Sequence, residues 1–370
     1  MFALNDILRE AVRQKASDIH LSSGNPPILR LDGLLSPMPG VLARTDVMQA
    51  LKEVATTQQL EDFEGKGEID FSFDFDGLMR FRVNAFETLE GPAMVMRLIP
   101  MSPPTLQQIG APAVLKQMAH LRKGLVLVTG PTGSGKSTTL AAMINYINDV
   151  LPSHILTIED PIEYIHKSRR ALINQREVGR HSSSFHNALR GALREDPNVI
   201  LVGEMRDLET ISLALTAAET GHLVFATLHT SSAAKAVDRI IDVFSANEKA
   251  LMRTMVASSL QAVVAQTLLP RAGGGRVAAF EVLVANQAVR NLIRENKIFQ
   301  MESMIQLGAK HGMQGMKESI QELVSSGQVR VEDAEDLLHE IEADKNAGDD
   351  AGGRAGGLHQ HHPMSGMPHR

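Results

Sequence analysis

The 370-residue sequence contains no cysteine, which excludes structural disulfides and thiolate zinc sites. It also has no uninterrupted apolar run near the ~18 residues that a membrane-spanning helix needs. The amphipathic segment 1–10 lacks the basic region and apolar core of a secretory signal. These absences predict a cytoplasmic protein that is at most peripheral to a membrane.

A basic surface is also missing from most of the chain. Residues 331–370 hold nine acidic and three basic residues, so residues 1–330 keep 34 of the 43 acidic and 34 of the 37 basic residues. Nucleic-acid-binding domains usually carry a positive excess that engages the phosphate backbone. We therefore expect no nucleic-acid partner, and a DNA-translocating motor is disfavoured.

The chain is long enough, and at 43% hydrophobic residues apolar enough, for two domains and a tail. Helical spacing at the N-terminus, followed by apolar–polar alternation that ends in an antiparallel meander, predicts a small α+β domain over residues 1–99. Four prolines predict a linker at 100–112. The second domain then covers 113–338, and residues 339–370 have the composition of a disordered tail.

The second domain begins with short apolar segments separated by helical ones. This rhythm predicts a parallel sheet with helices on its faces. The predicted strands are 125–129, 155–158, 199–202 and 223–228. From residue 246 to 338 the pattern predicts mostly amphipathic helix, with a break at three consecutive glycines, 273–275.

A phosphate-binding loop follows the first of these strands. Glycines there let backbone N–H groups turn toward a β-phosphate, while Lys136 adds charge and the Ser137 hydroxyl can ligate Mg²⁺. The strand before the loop and the helical run after it disfavour a chance glycine-rich sequence, and they predict binding of ATP with Mg²⁺. The predicted nucleotide-binding residues are Gly130, Pro131, Thr132, Gly133, Ser134, Gly135, Lys136, Ser137 and Thr138.

Two other strands end in carboxylates. Glu204 follows strand 199–202, where P-loop enzymes place an acid that serves Mg²⁺ or the attacking water, although Gly203 occupies the usual aspartate position. Three acids, Glu159, Asp160 and Glu163, follow strand 155–158, and one of them could orient the water. A solvated acidic turn explains this second group equally well.

Histidines bracket the strand 223–228. A histidine at a strand end near phosphates could hydrogen-bond the γ-phosphate, which predicts a role for His222 or His229. A structural role is the competing interpretation. Joint metal binding is disfavoured, because seven residues of strand separate the two rings by ~20 Å.

In this order the motifs resemble the secretion-type ATPases of bacterial type IV pili, and among them the retraction ATPases of the PilT family. The resemblance covers residues 3 to 335, and the Gly-Glu pair at 203–204 is usual in that family. The matching segments are an N-terminal signature at 16–24, the Walker A loop at 130–138, an acidic box at 156–166, a histidine box at 220–230 and a C-terminal signature at 288–295.

The resemblance implies an α/β fold, in which a RecA-like P-loop NTPase domain follows a smaller PAS-like α+β domain, and a ring of six chains. It implies that Arg82 and Arg97 act as arginine fingers, Glu163 as general base and Glu204 as the Walker B acid, with Lys136, His222 and His229 completing the catalytic set. Ser137 and Glu204 would hold the metal.

The implied function is ATP-driven pilus retraction in twitching motility, in which the ring turns an inner-membrane platform protein at the inner face of the cytoplasmic membrane. A paralogous retraction ATPase is a further candidate partner. The alternatives are an accessory, PilU-like retraction ATPase and a nucleotide-gated scaffold. The segment 288–295 argues against the first, and the presence of Lys136, Ser137, Glu163 and Glu204 argues against the second.

Overall fold

A computed structural model of the chain describes residues 3–31, 33–77, 79–99 and 102–341. Two compact units can be distinguished. The first comprises the described residues up to 111, together with 115–123 and 137–226; the second comprises 112–114, 124–136 and the described residues from 227 on. Residues 342–370 of the predicted tail, and 100 and 101 of the predicted linker, lie outside the described residues. The predicted domain boundaries stay predictions.

The described residues include the following named elements. The helices are α1 Leu4–Arg13, α2 Arg44–Val54, α3 Thr57–Lys66, α4 Val114–Ala119, α5 Lys136–Val150, α6 Phe185–Ala192, α7 Leu208–Glu219, α8 Ala233–Asp242, α9 Lys249–Ser259, α10 Gln287–Arg294, α11 Met301–Leu307 and α12 Met316–Ser325, with 3₁₀ turns at Ile298–Gln300 and Ala309–His311. The strands are β1 Asp18–Ser22, β2 Ile28–Leu31, β3 Leu34–Pro37, β4 Glu68–Phe75, β5 Met79–Thr88, β6 Gly91–Ile99, β7 Gly124–Thr129, β8 His154–Glu159, β9 Leu172–Glu177, β10 Val199–Val202, β11 Leu223–Leu228, β12 Leu260–Pro270 and β13 Arg276–Val284. Residues 331–341 are also helical.

The N-terminal sheet is antiparallel and has six strands in the order β3-β2-β1-β6-β5-β4. The predicted meander is confirmed as β4-β5-β6, and its first turn, three residues long rather than the two that Asp76-Gly77 predicts, has Asp76 and Gly77 at φ 50° and 66°, in the left-handed region. Phe81, Val83 and Ala85 alternate into the core, which leaves the arginines of β5 on the other face. Strands β1 to β3 extend the sheet beyond the prediction.

The second sheet has seven strands. In the first unit, β9, β8, β10 and β11 are neighbours in that order and all run parallel. In the second unit, β12 pairs parallel with β7 and antiparallel with β13. Every residue of β7, β10 and β11 is buried, which is the pattern of strands covered on both faces. The predicted parallel strands are therefore confirmed.

The helical prediction for residues 246–338 is wrong over 260–284. That stretch forms the β12–β13 hairpin, and Gly273, Gly274 and Gly275 form its turn with φ of 95°, 103° and 77°. The apolar run of β12 is buried on both faces, so it shows neither helical nor strand periodicity. The helices predicted on either side are present as α9 to α12. Among the described residues, no helix is both long enough and apolar enough to cross a membrane.

Candidate active site

The phosphate loop connects β7 to α5. Its three glycines, Gly130, Gly133 and Gly135, have φ of 149°, 80° and 88°, which side-chain-bearing residues rarely adopt. A Cβ at Gly130 would overlap the backbone carbonyl oxygen of Gln266, so space as well as conformation requires glycine there. The three glycines therefore give the loop backbone a conformation that side-chain-bearing residues would disfavour.

Lys136 begins α5 and folds back over the loop. Its side chain is buried, and its Nζ donates to the carbonyl of Gly130 at 2.9 Å and to that of Pro131 at 3.0 Å. The ammonium is thus held inside the loop, next to the first turn of a fifteen-residue helix. A positive charge and a helix N-terminus at one place form a site for an anion.

Gln266 on β12 contacts the phosphate loop through its side chain, and no motif in the sequence indicates this role. Only 2% of its surface is exposed, and its Nε2 donates to the carbonyl of Ser134 at 2.6 Å. Among the described residues the buried hydroxyl of Ser134 has no hydrogen-bond partner. The signal that could have revealed Gln266 is a long amide inside an otherwise apolar strand, since buried polar groups are usually bonded.

The strand before the loop is tied to the histidine box. The Oγ1 of Thr129 accepts from the backbone N–H of Thr230 at 2.9 Å and lies 2.7 Å from the Thr230 hydroxyl. His229, which is exposed, therefore stands beside the residue that anchors the end of β7. His222 lies before β11 rather than after it, with its Nδ1 3.0 Å from the carbonyl of Ala217. The two predicted histidines are at opposite ends of one strand.

The acidic loop, residues 159–166, begins at Glu159, which is the last residue of β8. The carboxylate of Glu159 accepts from the Thr157 hydroxyl at 2.6 Å and from the Gln175 amide at 3.2 Å. Although some of the Glu159 side chain is accessible, burial raises the pKa of its carboxyl to about 7, and these hydrogen bonds only partly oppose that rise. Glu163 is exposed. The loop therefore carries one desolvated carboxylate, Glu159, and two exposed ones, Asp160 and Glu163.

Tyr164 connects the acidic loop to the start of α5. Its hydroxyl lies 3.1 Å from the Oγ1 of Thr138, and burial raises the pKa of the phenol. Further along α5, the buried Asn148 accepts from the backbone N–H of Arg169 at 2.9 Å and donates to the carbonyl of Lys167 at 2.8 Å. The segment that carries Glu163 is thus fastened to the helix that begins at the phosphate loop.

Glu204 follows the four buried residues of β10. Its Oε1 lies 2.7 Å from the Nε of Arg206, and most of the carboxylate side chain is shielded from solvent. Close packing explains why glycine precedes Glu204. A Cβ at Gly203 would lie 3.1 Å from the carbonyl oxygen of Ile158 and 3.2 Å from the Cα of Glu159. An aspartate at 203 would press on the end of β8.

The two predicted arginines are cross-strand neighbours. Arg82 on β5 is directly opposite Arg97 on β6, so both side chains lie on one face of the sheet. The Nε of Arg97 donates to the buried Asp18 at 2.9 Å, while 67% of the Arg97 side chain remains exposed. Among the described residues, Arg82 has no carboxylate partner. The Arg97 guanidinium is therefore held by a carboxylate, whereas the Arg82 guanidinium is not.

The structure therefore brings together Arg82 with Arg97, Tyr164 with Thr138, and Thr230 with Thr129. It separates His222 from His229. The remaining predicted residues, Glu163 and Glu204, each follow the carboxyl end of a parallel strand, β8 and β10, which are paired with each other. Such strand ends are where open α/β sheets bind ligands.

Known proteins are similar in sequence to this chain. A family model for type II/IV secretion system proteins matches residues 2–273. The type IV pilus retraction ATPase PilT of Pseudomonas aeruginosa is 52% identical over 332 residues, which are 90% of this chain and 96% of that protein. A twitching motility protein of Neisseria gonorrhoeae is 54% identical over 329 residues, 86% of this chain and 88% of that protein.

A solved structure agrees with the sequence relatives. The crystal structure of the pilus retraction motor PilT with bound ADP is 45% identical, covers 90% of this chain and 96% of its own, and superimposes with a TM-score of 0.83. This likeness confirms the predicted α/β class, a RecA-like P-loop ATPase with a smaller N-terminal domain. The chain belongs to the type II/IV secretion system protein family and, within it, to the PilT group of type IV pilus retraction ATPases.

Proposed function

We propose that this chain is a hexameric motor that couples ATP hydrolysis to retraction of a type IV pilus. The observation that carries the proposal is the phosphate loop: three glycines with positive φ, a lysine held inside the turn and a helix N-terminus behind it. The relatives named as retraction and twitching motility proteins supply the direction of the motor. Residues 130–138 bind the phosphates of ATP.

The donor set around the proposed metal fits Mg²⁺. Ser137 offers a hydroxyl and Glu204 a carboxylate, and Mg²⁺ prefers a few oxygen ligands together with phosphate and water. Among the described residues no group of three or more His, Asp or Glu side chains could enclose a metal by itself, which suits an ion held mainly by the nucleotide. When bound, Mg²⁺ neutralises charge that develops on the phosphates.

Glu163 is proposed as the general base. Its loop is fastened to α5 through the contact of Tyr164 with Thr138, so the carboxylate belongs to the same local framework as the end of the phosphate loop. Glu163 is exposed, whereas burial raises the pKa of the neighbouring Glu159. An exposed carboxylate can accept a proton from water, which is the role proposed for Glu163.

Arg82 and Arg97 are proposed as arginine fingers. Anchoring by Asp18 sets the direction of Arg97, and the absence of a carboxylate partner among the described residues leaves Arg82 able to meet phosphate oxygens. Bidentate guanidinium–phosphate contacts are strong and stabilise charge in the transition state. The anchored residue restrains the geometry, and the unanchored one responds to the nucleotide.

Different roles are proposed for His229 and His222. His229 follows β11 and adjoins Thr230, which is bonded to Thr129 at the end of the strand that enters the phosphate loop. It is proposed to respond to the γ-phosphate. His222 precedes β11 and its Nδ1 contacts the carbonyl at the end of α7. We propose that it contributes to catalysis through the subunit arrangement of the ring.

The assembly and its setting complete the proposal. Six chains form a ring that lies in the cytoplasm against the inner face of the cytoplasmic membrane, where it turns the pilus platform protein. A paralogous retraction ATPase is a further proposed partner. No nucleic acid takes part, in keeping with the balanced charge of residues 1–330.

A complementation experiment tests the motor function. In a strain lacking its own retraction ATPase, we expect the wild-type chain to restore twitching and Glu204→Gln to fail, with pili present in both. The matched control, Glu209→Gln, changes an exposed acid on α7 and should behave as wild type. Twitching restored equally by Glu204→Gln would contradict a hydrolysis-driven retraction motor.

A further inference from the structure

Apart from Glu159, which ends β8, the acidic loop contains neither helix nor strand, yet it must hold Glu163 in one place. Among the described residues, no backbone–backbone hydrogen bond involves residues 160–166, so the backbone groups of the loop need partners from side chains. The neighbouring strand β9 supplies the missing partners. Its residues Gln175 and Glu177, two apart and therefore on one face of the strand, both bond to the loop.

Gln175 contacts the loop at three points. Its Nε2 donates to the carboxylate of Glu159 at 3.2 Å and to the carbonyl of Tyr164 at 2.8 Å, and its Oε1 accepts from the backbone N–H of His166 at 2.8 Å. A glutamine amide has two donor hydrogens, and both are used. One side chain thus joins the first residue of the loop, a middle residue and the last.

Glu163 lies between two of these anchors. Gln175 contacts the carboxylate of Glu159, four residues before Glu163, and the carbonyl of the next residue, Tyr164, accepts from Gln175 directly. Glu177 adds a bond from the backbone N–H of Ile162 at 3.1 Å. The residues before and after Glu163 are therefore fixed from β9.

We infer that Gln175 is the positioning residue for Glu163, and that its amide sets the direction of the catalytic carboxylate without touching the nucleotide. The inference rests on the proposed role of Glu163 as general base. It assigns to β9 a function that no motif in the sequence indicates: side chains of this strand hold an irregular catalytic loop in place, and Gln175 makes most of the contacts.

The test replaces the amide by a side chain of similar length without hydrogen-bonding groups. In the full-length protein, Gln175→Met should lower kcat for ATP on the order of ten- to a hundredfold, since small displacements of a catalytic group have effects of this size. The Kd of a fluorescent ADP analogue should stay within about twofold, because the phosphate loop is unchanged. Asn174→Ala is the matched control, because this exposed amide on β9 bonds His154 and not the loop.

A spectroscopic readout follows the loop itself. The chain has two tyrosines and no tryptophan, so Tyr146→Phe leaves Tyr164 as the sole emitter. In that background we expect Gln175→Met to increase acrylamide quenching of Tyr164 fluorescence, while Asn174→Ala leaves it unchanged. Unchanged quenching together with unchanged kcat would overturn the inference. If Gln175→Met does not fold, Gln175→Glu keeps the length and the acceptor for His166 while losing both donors, and it should show the same two effects.

A double-mutant cycle separates this inference from the proposed function. If Gln175 acts through Glu163, then Gln175→Met should change kcat by no more than about twofold in a Glu163→Gln background. Independent, multiplying losses would refute positioning through Glu163 while leaving the ATPase site intact. Normal kcat in Glu163→Gln alone would instead refute the general-base assignment on which both proposals depend.

Discussion

The P-loop, residues 130–137, and the acidic loop, residues 159–166, each leave the carboxyl end of a buried parallel strand. The P-loop takes its shape from its own sequence, because glycines with positive φ turn the backbone and Lys136 bonds carbonyls of the same loop. The acidic loop takes its shape from other elements, through Gln175 on β9 and Thr138 on α5. A loop that encloses phosphate is built locally, whereas a loop that aims a carboxylate is held from outside.

The largest loss of activity should come from a substitution in the P-loop, whose shape depends on its own residues. Lys136→Ala removes the charge inside the P-loop, so ATP turnover should fall at least about a thousandfold and reach background in a phosphate-release assay. Lys123→Ala, which changes an exposed lysine just before β7, is the control and should keep wild-type turnover. Measurable wild-type-like hydrolysis by Lys136→Ala would show that phosphates are not bound at this loop.

A smaller effect should follow from a contact that supports the P-loop from outside, the bond from Gln266 on β12. Gln266→Met removes the donor to the Ser134 carbonyl and leaves that buried oxygen unpaired, which costs about 1–3 kcal/mol. We expect affinity for an ADP analogue to fall about tenfold, measured by fluorescence titration. Gln321→Met on the exposed face of α12 serves as the control. An unchanged affinity would mean that the loop keeps its shape without Gln266, which would sharpen the contrast with the acidic loop.

The smallest effect concerns pH and belongs to the acidic loop. The pKa of Glu159 rises on folding from 4.5 to about 7, so the folded state holds this proton more tightly than the unfolded state. Its stabilising contribution is complete below the unfolded pKa and is lost as pH rises through about 7. Between about pH 8 and about pH 6, the unfolding free energy of wild type should gain on the order of 1 kcal/mol relative to Glu159→Gln.

Denaturant unfolding of both proteins at the two pH values measures this difference. His166 works in the opposite direction, because burial and then Arg169 lower its pKa to about 4, so its contribution is lost as pH falls from 6.5. Both proteins retain His166, and the difference between them cancels its effect. Parallel pH curves for wild type and Glu159→Gln would contradict a desolvated carboxylate at the start of the acidic loop.

The local part of the site could be predicted from the sequence. Glycine spacing, the preceding apolar strand and the following helix are properties of adjacent residues, and the alternation along β5 placed Arg82 on the face opposite to the buried Phe81. The cross-strand pairing of Arg82 with Arg97 also follows from the β5–β6 hairpin, whose turn is readable at Glu90, Gly91 and Pro92. Neighbouring residues carry the information in each case.

The rest depends on residues far apart in the chain. Gln266 is more than a hundred positions from the Ser134 carbonyl that it supports, and Gly203 is small because β8 runs beside it. The sequence pattern predicts helix where the structure has strand β12. An apolar segment covered on both faces has no periodicity of its own, so the pattern cannot distinguish strand from helix there. Gln175 gave no signal, because an amide on a partly exposed strand resembles any surface glutamine.

ATP hydrolysis measured together with native mass, with and without Mg²⁺, tests the central claim most directly. The account predicts Mg²⁺-dependent turnover from a species of about six times the 40.2 kDa chain mass. A monomer that binds ATP without hydrolysing it would contradict the account, and would turn the interpretation toward an accessory subunit or a nucleotide-gated scaffold.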